Sequence, residues 1–323
     1  DFPYVDHIVR GYGEVAMVNI VKGKETDHII IGKEPDTYLW PDYDLVDIKS
    51  YHRRIAGEIS LPLLTSRGCP YHCAFCGLEQ IHKSLGYNVK FDSIENVEYQ
   101  IERIKCRGVN AINFQDDIFV IQPKRLFKIL DVVKEMNMKF RCMGRAGLDK
   151  EYIYERLSES GCESVAWGLE SGSQYMLNRM NKGVTVQDNY NVIKWAKKNK
   201  IISRAFFLIG FPGETRQSLE ETKEFILKSE PDQVFVSTMV PYPGTSVGDN
   251  PKKYGITWLS KDYSQYYQVS KDGTGGVTFD TEWLNHNEFR ELELDFREFI
   301  KKYMKSKPQE KLQDYEKNLY KND

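Results

Sequence analysis

From about residue 60 the chain alternates short apolar runs with amphipathic segments, and this alternation limits the fold more than any other feature. The runs 61–65, 109–115, 139–143, 164–169, 201–209 and 233–240 read as strands. Between them, 92–106, 124–136, 150–158, 173–180, 186–199 and 215–228 read as helices. In the first helix Ile94, Val97, Ile101 and Ile104 recur at helical spacing, with Asp92 placed as N-cap and Glu95 at N3. Strands separated by helices imply parallel βαβ units. Six strands fall short of the eight of a closed TIM barrel. The expected class is therefore α/β with parallel strands, short of a closed barrel, plus a C-terminal helical and loop segment. The expected division is 1–58, 59–246 for the barrel, and 247–323. The last part holds a helix at 287–305 and a charged tail from Ser306 that is expected to fray. In parallel α/β folds, ligands gather at the carboxyl ends of the strands.

The first strand runs into Thr65-Ser-Arg-Gly-Cys-Pro-Tyr-His-Cys-Ala-Phe-Cys76. Cys69, Cys73 and Cys76 stand there in C-x3-C-x2-C spacing, with no fourth cysteine close by. A structural zinc site wants four protein ligands, and a four-iron cluster usually takes four cysteines. Three thiolates on a cube of four irons leave one iron open, able to bind a small molecule through an amine and a carboxylate. Arg67, Gly68, Pro70, His72 and Gly77 make this stretch a loop rather than a core strand. On spacing alone, a zinc ion completed by His72 or His82 stays open. Cys106, Cys142 and Cys162 are scattered and are expected as small buried hydrophobes. Six cysteines in 323 residues make no disulfide scaffold, so a reducing, cytoplasmic compartment is expected.

Other strand ends also carry polar residues. In Gln115-Asp-Asp-Ile-Phe119 the paired carboxylates suit an ammonium group or a substrate, but the sequence alone favours a solvated helix cap. In Gly168-Leu-Glu-Ser-Gly-Ser173, Glu170 is placed to take the hydroxyls of a ribose. Gly172 permits close backbone approach, and Ser171 or Ser173 suits a cap. Phe207-Leu-Ile-Gly-Phe-Pro-Gly-Glu-Thr215 reads either as an ordinary βα turn or as an edge whose amides pair with an adenine. Residues 241–285 are rich in Gly, Pro and Tyr, and Tyr242, Tyr263, Tyr266 and Tyr267 are candidates to line a substrate pocket. The chain carries 45 basic and 47 acidic residues, which gives no general electrostatic case for nucleic acid or an anionic membrane. No apolar run reaches the roughly 18 residues of a membrane span, and no signal peptide is visible.

The cysteine stretch closely resembles the signature of the radical S-adenosylmethionine (radical SAM) enzymes. Phe-Gln-Asp-Asp-Ile-Phe119, Gly168-Leu-Glu-Ser-Gly-Ser173 and Pro241-Tyr-Pro-Gly-Thr245 resemble its cobalamin-associated branch. The stretch Asp6-His-Ile-Val-Arg-Gly-Tyr-Gly-Glu14 resembles the last strand and turn of a cobalamin-binding domain. The resemblance implies an open, partial (β/α)6 TIM-type barrel with parallel strands, in which Cys69, Cys73 and Cys76 hold a 4Fe-4S cluster whose open iron chelates SAM. An electron from the cluster then cleaves SAM to a 5′-deoxyadenosyl radical, which takes hydrogen from an organic substrate. It further implies that Gln115 and Asp116 hold the SAM amino group, and that Glu170 and Ser171 are polar residues of the SAM or active site. Ile209, Gly210 and Phe211 would contact adenine on one side and Phe75 on the other. Arg145 and Arg204 are candidates for the SAM carboxylate or the substrate, with a structural role for each left open.

Methyl transfer, oxidation and rearrangement are the expected outcomes, with an external one-electron reductant such as flavodoxin or ferredoxin. One departure stands out. A cobalamin domain should supply roughly a hundred more residues upstream, and His7 and His28 do not lie in an Asp-x-His-x-x-Gly motif. Either the chain is a fragment or it works without cobalamin, which stays possible but is assigned to no residue. The alternative is a non-catalytic iron–sulfur or zinc-binding module, such as an electron carrier. Methylthiolation of tRNA is disfavoured, because neither an upstream cysteine trio nor a basic C-terminal module is seen.

Overall fold

The computed structural model describes residues 4–35, 40–50, 53–78, 88–148, 150–270, 273–276 and 278–307. His82 and the tail beyond 307 lie outside the described residues. The chain opens with β1 (Ile8–Gly11), α1 (Glu14–Val21) and β2 (Ile29–Gly32), and β1 pairs with β2 in parallel. A short hairpin follows, β3 (Arg54–Ile55) and β4 (Glu58–Leu63). β5 (Ser66–Arg67) then pairs antiparallel with β6 (Lys90–Phe91) across the cysteine loop.

The regular alternation comes next. It comprises α2 (Ile94–Cys106), β7 (Ala111–Phe114), α3 (Pro123–Glu135), β8 (Lys139–Gly144), α4 (Glu151–Glu159) and β9 (Cys162–Glu170). It continues with α5 (Gln174–Arg179), α6 (Val186–Lys198), β10 (Ile202–Ile209), α7 (Arg216–Ser229) and β11 (Gln233–Thr238). The C-terminal part holds α8 (Ser246–Asp249), β12 (Ile256–Leu259), β13 (Phe279–Thr281) and α9 (His286–Lys305).

One seven-stranded sheet runs β11-β10-β9-β8-β7-β4-β3. Every neighbour in it is parallel except the β3–β4 hairpin. The six parallel strands follow sequence order, as right-handed βα crossovers require. Because β11 and β3 are its two edges, this is the open (β/α)6 arrangement. Its strands are buried on both faces: Ala111–Phe114 is buried at every position, as expected where helices cover a parallel sheet. Trp167, Phe114, Phe140 and Phe207 are fully buried between sheet and helices. The β11 edge is covered by the C-terminal part. Thr238 N donates to Gln268 O (3.1 Å), and Arg297 Nη1 on α9 donates to Val236 O (3.3 Å).

Two local expectations change. The N-cap of α2 is Ser93, whose Oγ accepts from Asn96 N. Asp92 instead takes Ser93 N and the Asn96 side-chain amide on its two oxygens. Cys106 is exposed rather than buried, because the last turn of α2 turns it away from the face carrying Ile101 and Ile104. Cys142 and Cys162 are buried in strands. No described helix is long and apolar enough to cross a membrane.

Candidate active site at the carboxyl ends of the strands

The cysteine loop leaves β4 at the carboxyl end of the sheet and is tied down from both sides. Asp116, 1% exposed, accepts from Thr65 N (3.1 Å), Thr65 Oγ1 (2.7 Å) and Ser66 Oγ (2.5 Å). Its neighbour Asp117 accepts from Gly68 N at 3.0 Å, one residue before Cys69. Arg125 on α3 donates to Thr65 O and Asp92 O. Burial pushes the Asp116 carboxyl above its ordinary range, and the hydrogen bonds from Ser66 and Thr65 pull it back. On the far side, Ala74 N donates to Met180 O (2.9 Å), Asn181 Nδ2 to His72 O (2.8 Å), and Val247 N to Ala74 O (3.2 Å). The loop is thus hung between the ends of β4 and β7, the turn after α5, and α8.

Held this way, the three cysteines of the loop lie near enough for the charge of Cys73 to act on Cys69, and those of Cys69 and Cys73 on Cys76. Burial pushes the Cys69 and Cys76 thiols up, and the neighbouring cysteines push in the same direction. The charge of Arg145 pulls Cys69 back, and that of Lys182 pulls Cys76 back. Arg145 Nη1 lies 3.9 Å from Cys73 Sγ. Among the described residues no three His, Cys, Asp or Glu side chains stand close enough to share one metal ion. The donor set, three cysteine thiols of one loop with the cations of Arg145 and Lys182 alongside, suits an iron–sulfur cluster.

The fourth strand end supplies a charged pair. Glu170 closes β9 with φ 63°, the left-handed region that a non-glycine residue enters only at a cost of about 1–3 kcal/mol. Asn189 on α6 holds that backbone by donating from Nδ2 to Leu169 O (3.0 Å) and Ser171 O (3.3 Å). So fixed, Glu170 Oε1 accepts from Lys182 Nζ at 2.9 Å. Lys182 also lies over the Phe75 ring, 5.8 Å from its centroid. The fifth strand end meets the same group. Phe211 packs edge-on against Phe75 at 6.5 Å, within an apolar cluster that includes Ala74, Met180, Leu208, Met239 and Val247. Gly210 has φ 78° and donates to Glu214 Oε2 (3.3 Å), while Ile209 O takes Met239 N. Burial pushes the Glu214 carboxyl up to about 7.

The structure therefore brings together Cys69, Cys73, Cys76, Phe75, Arg145, Glu170 and the segment from Ile209 to Phe211. The remaining expected site residues are placed otherwise. Asp116 accepts from the loop on both oxygens, so it shapes the cysteine loop. Gln115 is exposed, and its backbone N donates to Leu63 O. Ser171 is buried and shares its hydroxyl with Thr222 Oγ1 and Ser173 N. The close approach at Gly172 is to α7, where an added Cβ would lie 2.5 Å from Phe225 Cβ. Arg204 lies toward the other end of its strand. It donates to Gln233 Oε1 at the first residue of β11. Five residues, about 16 Å at strand rise, separate it from Ile209. Being basic and in a barrel strand did not fix which end it serves. Lys182, Asn189 and Glu214 were missed. Lys182 sits in Met-Asn-Lys-Gly183, a stretch that reads as a solvated turn in sequence.

Next to the cysteine loop lies a cavity of about 460 Å³, walled by Gly11, Tyr12, Glu14, Arg67, Gly68 and Asp117. Arg67 bridges its two walls through an ion pair with Glu14 at 2.5 Å. The N-terminal βαβ unit thus faces the loop that carries the cysteines.

Comparison with known proteins agrees with this geometry. The Radical SAM superfamily model matches residues 63–226, about half of the chain. An uncharacterized methyltransferase of Pyrococcus horikoshii is 30% identical over 267 residues, covering 75% of this chain and 57% of that protein. Bacteriochlorophyllide d C-12(1)-methyltransferase of Chlorobaculum tepidum is 27% identical, covering 72% of this chain and 53% of that one. This chain thus spans little more than half the length of these relatives. Among solved structures, the radical SAM methyltransferase TsrM of Kitasatospora setae, with cobalamin and a [4Fe-4S] cluster bound, superposes with TM-score 0.59. At 14% identity over 76% of this chain and 52% of TsrM, this is a likeness of fold. The cysteine spacing, the open six-stranded parallel sheet and the family match converge: this chain belongs to the radical SAM superfamily.

Proposed function

We propose that the protein cleaves SAM reductively at a 4Fe-4S cluster held by Cys69, Cys73 and Cys76, and so starts radical chemistry on an organic substrate. The observation that carries this is the set of three thiols, with no fourth cysteine in the loop, on a loop that leaves the carboxyl end of β4 and carries Phe75 next to Phe211 and the Glu170–Lys182 pair. When bound, the cluster supplies the electron that breaks a carbon–sulfur bond of SAM. The chain's own residues do the rest. Phe75 offers an apolar ring surface for the adenine, with the buried Phe211 ring packed behind it, and Glu170 offers a carboxylate beside it for the ribose. The apolar cluster around Met180 and Met239 excludes water from a reactive intermediate.

Of the expected outcomes, methyl transfer is the one that the names of both relatives favour. A small-molecule substrate and an external one-electron reductant such as flavodoxin or ferredoxin complete the scheme. A reducing, cytoplasmic setting suits a thiolate-held cluster. Cobalamin is assigned to no residue of this chain: the wall of Gly11, Tyr12 and Glu14 offers a face toward the cysteine loop but no imidazole ligand.

The test is anaerobic incubation with SAM and dithionite, following formation of 5′-deoxyadenosine and S-adenosylhomocysteine. The unaltered protein is expected to turn SAM over, and Cys69→Ala to abolish it. Turnover retained in Cys69→Ala would sink the assignment.

A further inference from the structure

We propose that Arg145 sets the reduction potential of the cluster by holding a buried guanidinium against the thiolate of Cys73. The inference rests on the cluster assignment above and gives Arg145 a role other than binding the SAM carboxylate.

Arg145 directly follows β8 and is 7% exposed. Nη1 lies 3.9 Å from Cys73 Sγ, within reach of a hydrogen bond to sulfur. Two further contacts fix the group there. The guanidinium carbon lies 3.6 Å from the centroid of the Tyr71 ring, and Nη2 donates to the carbonyl of Lys182. Tyr71 belongs to the cysteine loop, and Lys182 to the turn that anchors it. The positive charge is therefore carried on the loop's own frame, and its face and edges are occupied by protein groups.

Reducing a 4Fe-4S cluster adds one negative charge to it. A cation held close by in a low-dielectric setting stabilises the reduced form more than the oxidised form. Hydrogen bonds to the sulfurs and nearby charge are among the levers that tune such clusters. Arg145 supplies both at one ligand, so it makes the cluster easier to reduce. It is a positioning and tuning residue, acting through Cys73.

The test compares the reconstituted wild-type chain with Arg145→Met and Arg145→Lys. Each is titrated anaerobically with dithionite, and the EPR signal of the reduced cluster is followed. Arg145→Met is expected to keep its iron and sulfide but to move to a more negative midpoint. Its equilibrium constant for reduction should fall about tenfold, which is about 59 mV for a one-electron couple. Arg145→Lys should recover most of the shift. An unchanged midpoint in cluster-loaded Arg145→Met overturns the proposal. If that variant does not hold the cluster, wild-type protein labelled with 15N-arginine gives a second reading. Pulsed EPR of its reduced cluster should then show a weakly coupled arginine nitrogen, and its absence overturns the proposal. A wild-type chain that takes up no cluster overturns the functional reading and this inference together. A loaded cluster indifferent to Arg145 overturns this inference alone.

Discussion

Lys182 Nζ and Glu170 Oε1 lie 2.9 Å apart, with side chains only 9% and 11% exposed, and so join the end of β9 to the turn that anchors the cysteine loop. Removing one partner of a nearly buried pair leaves the other charge uncompensated, at a cost of about 3–5 kcal/mol. Lys182→Met is therefore expected to lower stability strongly, and Glu170→Gln in the same background to restore most of the loss. Chemical denaturation of the two variants measures this. Independent, additive losses would show that the two groups do not act as a pair.

Asp116 supports a second prediction, on the cluster rather than on the fold. Asp116→Ala removes the acceptor shared by Thr65 N, Thr65 Oγ1 and Ser66 Oγ. Each buried donor left without a partner costs about 1–3 kcal/mol. The loop that carries Cys69 should open, while the helices keep their circular dichroism. Iron loss to a chelator should then become severalfold faster. An unchanged rate would mean that Arg125 and Asp117 suffice to hold the loop.

Gly210 is where the barrel meets the C-terminal part. Its φ of 78° disfavours a side chain, and an added Cβ would stand 2.4 Å from Phe289 Cζ on α9. Gly210→Ala should cost the backbone term, about 1–2 kcal/mol, plus the clash. Phe289→Ala in that background should relieve the clash and leave the backbone term. Denaturation of these two variants and of Phe289→Ala alone closes a cycle that separates the clash from the other contributions.

Glu214 gives a pH dependence. Burial raises its carboxyl from 4.5 to about 7 in the folded chain, so between these values the folded state binds more protons than the unfolded state. The stabilisation is complete below about pH 4.5 and is lost as pH rises toward 7, by on the order of 3 kcal/mol. Glu214→Gln keeps an oxygen for Gly210 N and cannot ionise. Its denaturation midpoint should gain on wild type from pH 5 to pH 8. Parallel profiles for the two proteins would contradict the buried-acid reading.

How far the sequence could be read follows from the range of each signal. Strand and helix order rests on local periodicity, so the six barrel strands fall within a few residues of expectation, and the cysteine trio is a local motif. The charged partners are not local. Lys182 reaches Glu170 only because β9, α5 and the following turn fold back on one another. Asp116 reaches Thr65 only because β4 and β7 pair in parallel with Leu63 opposite Phe114. Arg204 shows the converse, since an arginine two residues into a strand belongs to the end away from the site. Asp92 and Ser93 both suit an N-cap, and backbone geometry chose between them.

The most direct measurement is the EPR spectrum of the anaerobically reconstituted and reduced protein, with and without SAM. A reduced 4Fe-4S signal that shifts when SAM is added is the predicted result, because it shows an open iron taking SAM as its ligand. A cluster signal indifferent to SAM, or stoichiometric zinc in place of the cluster, would contradict the account.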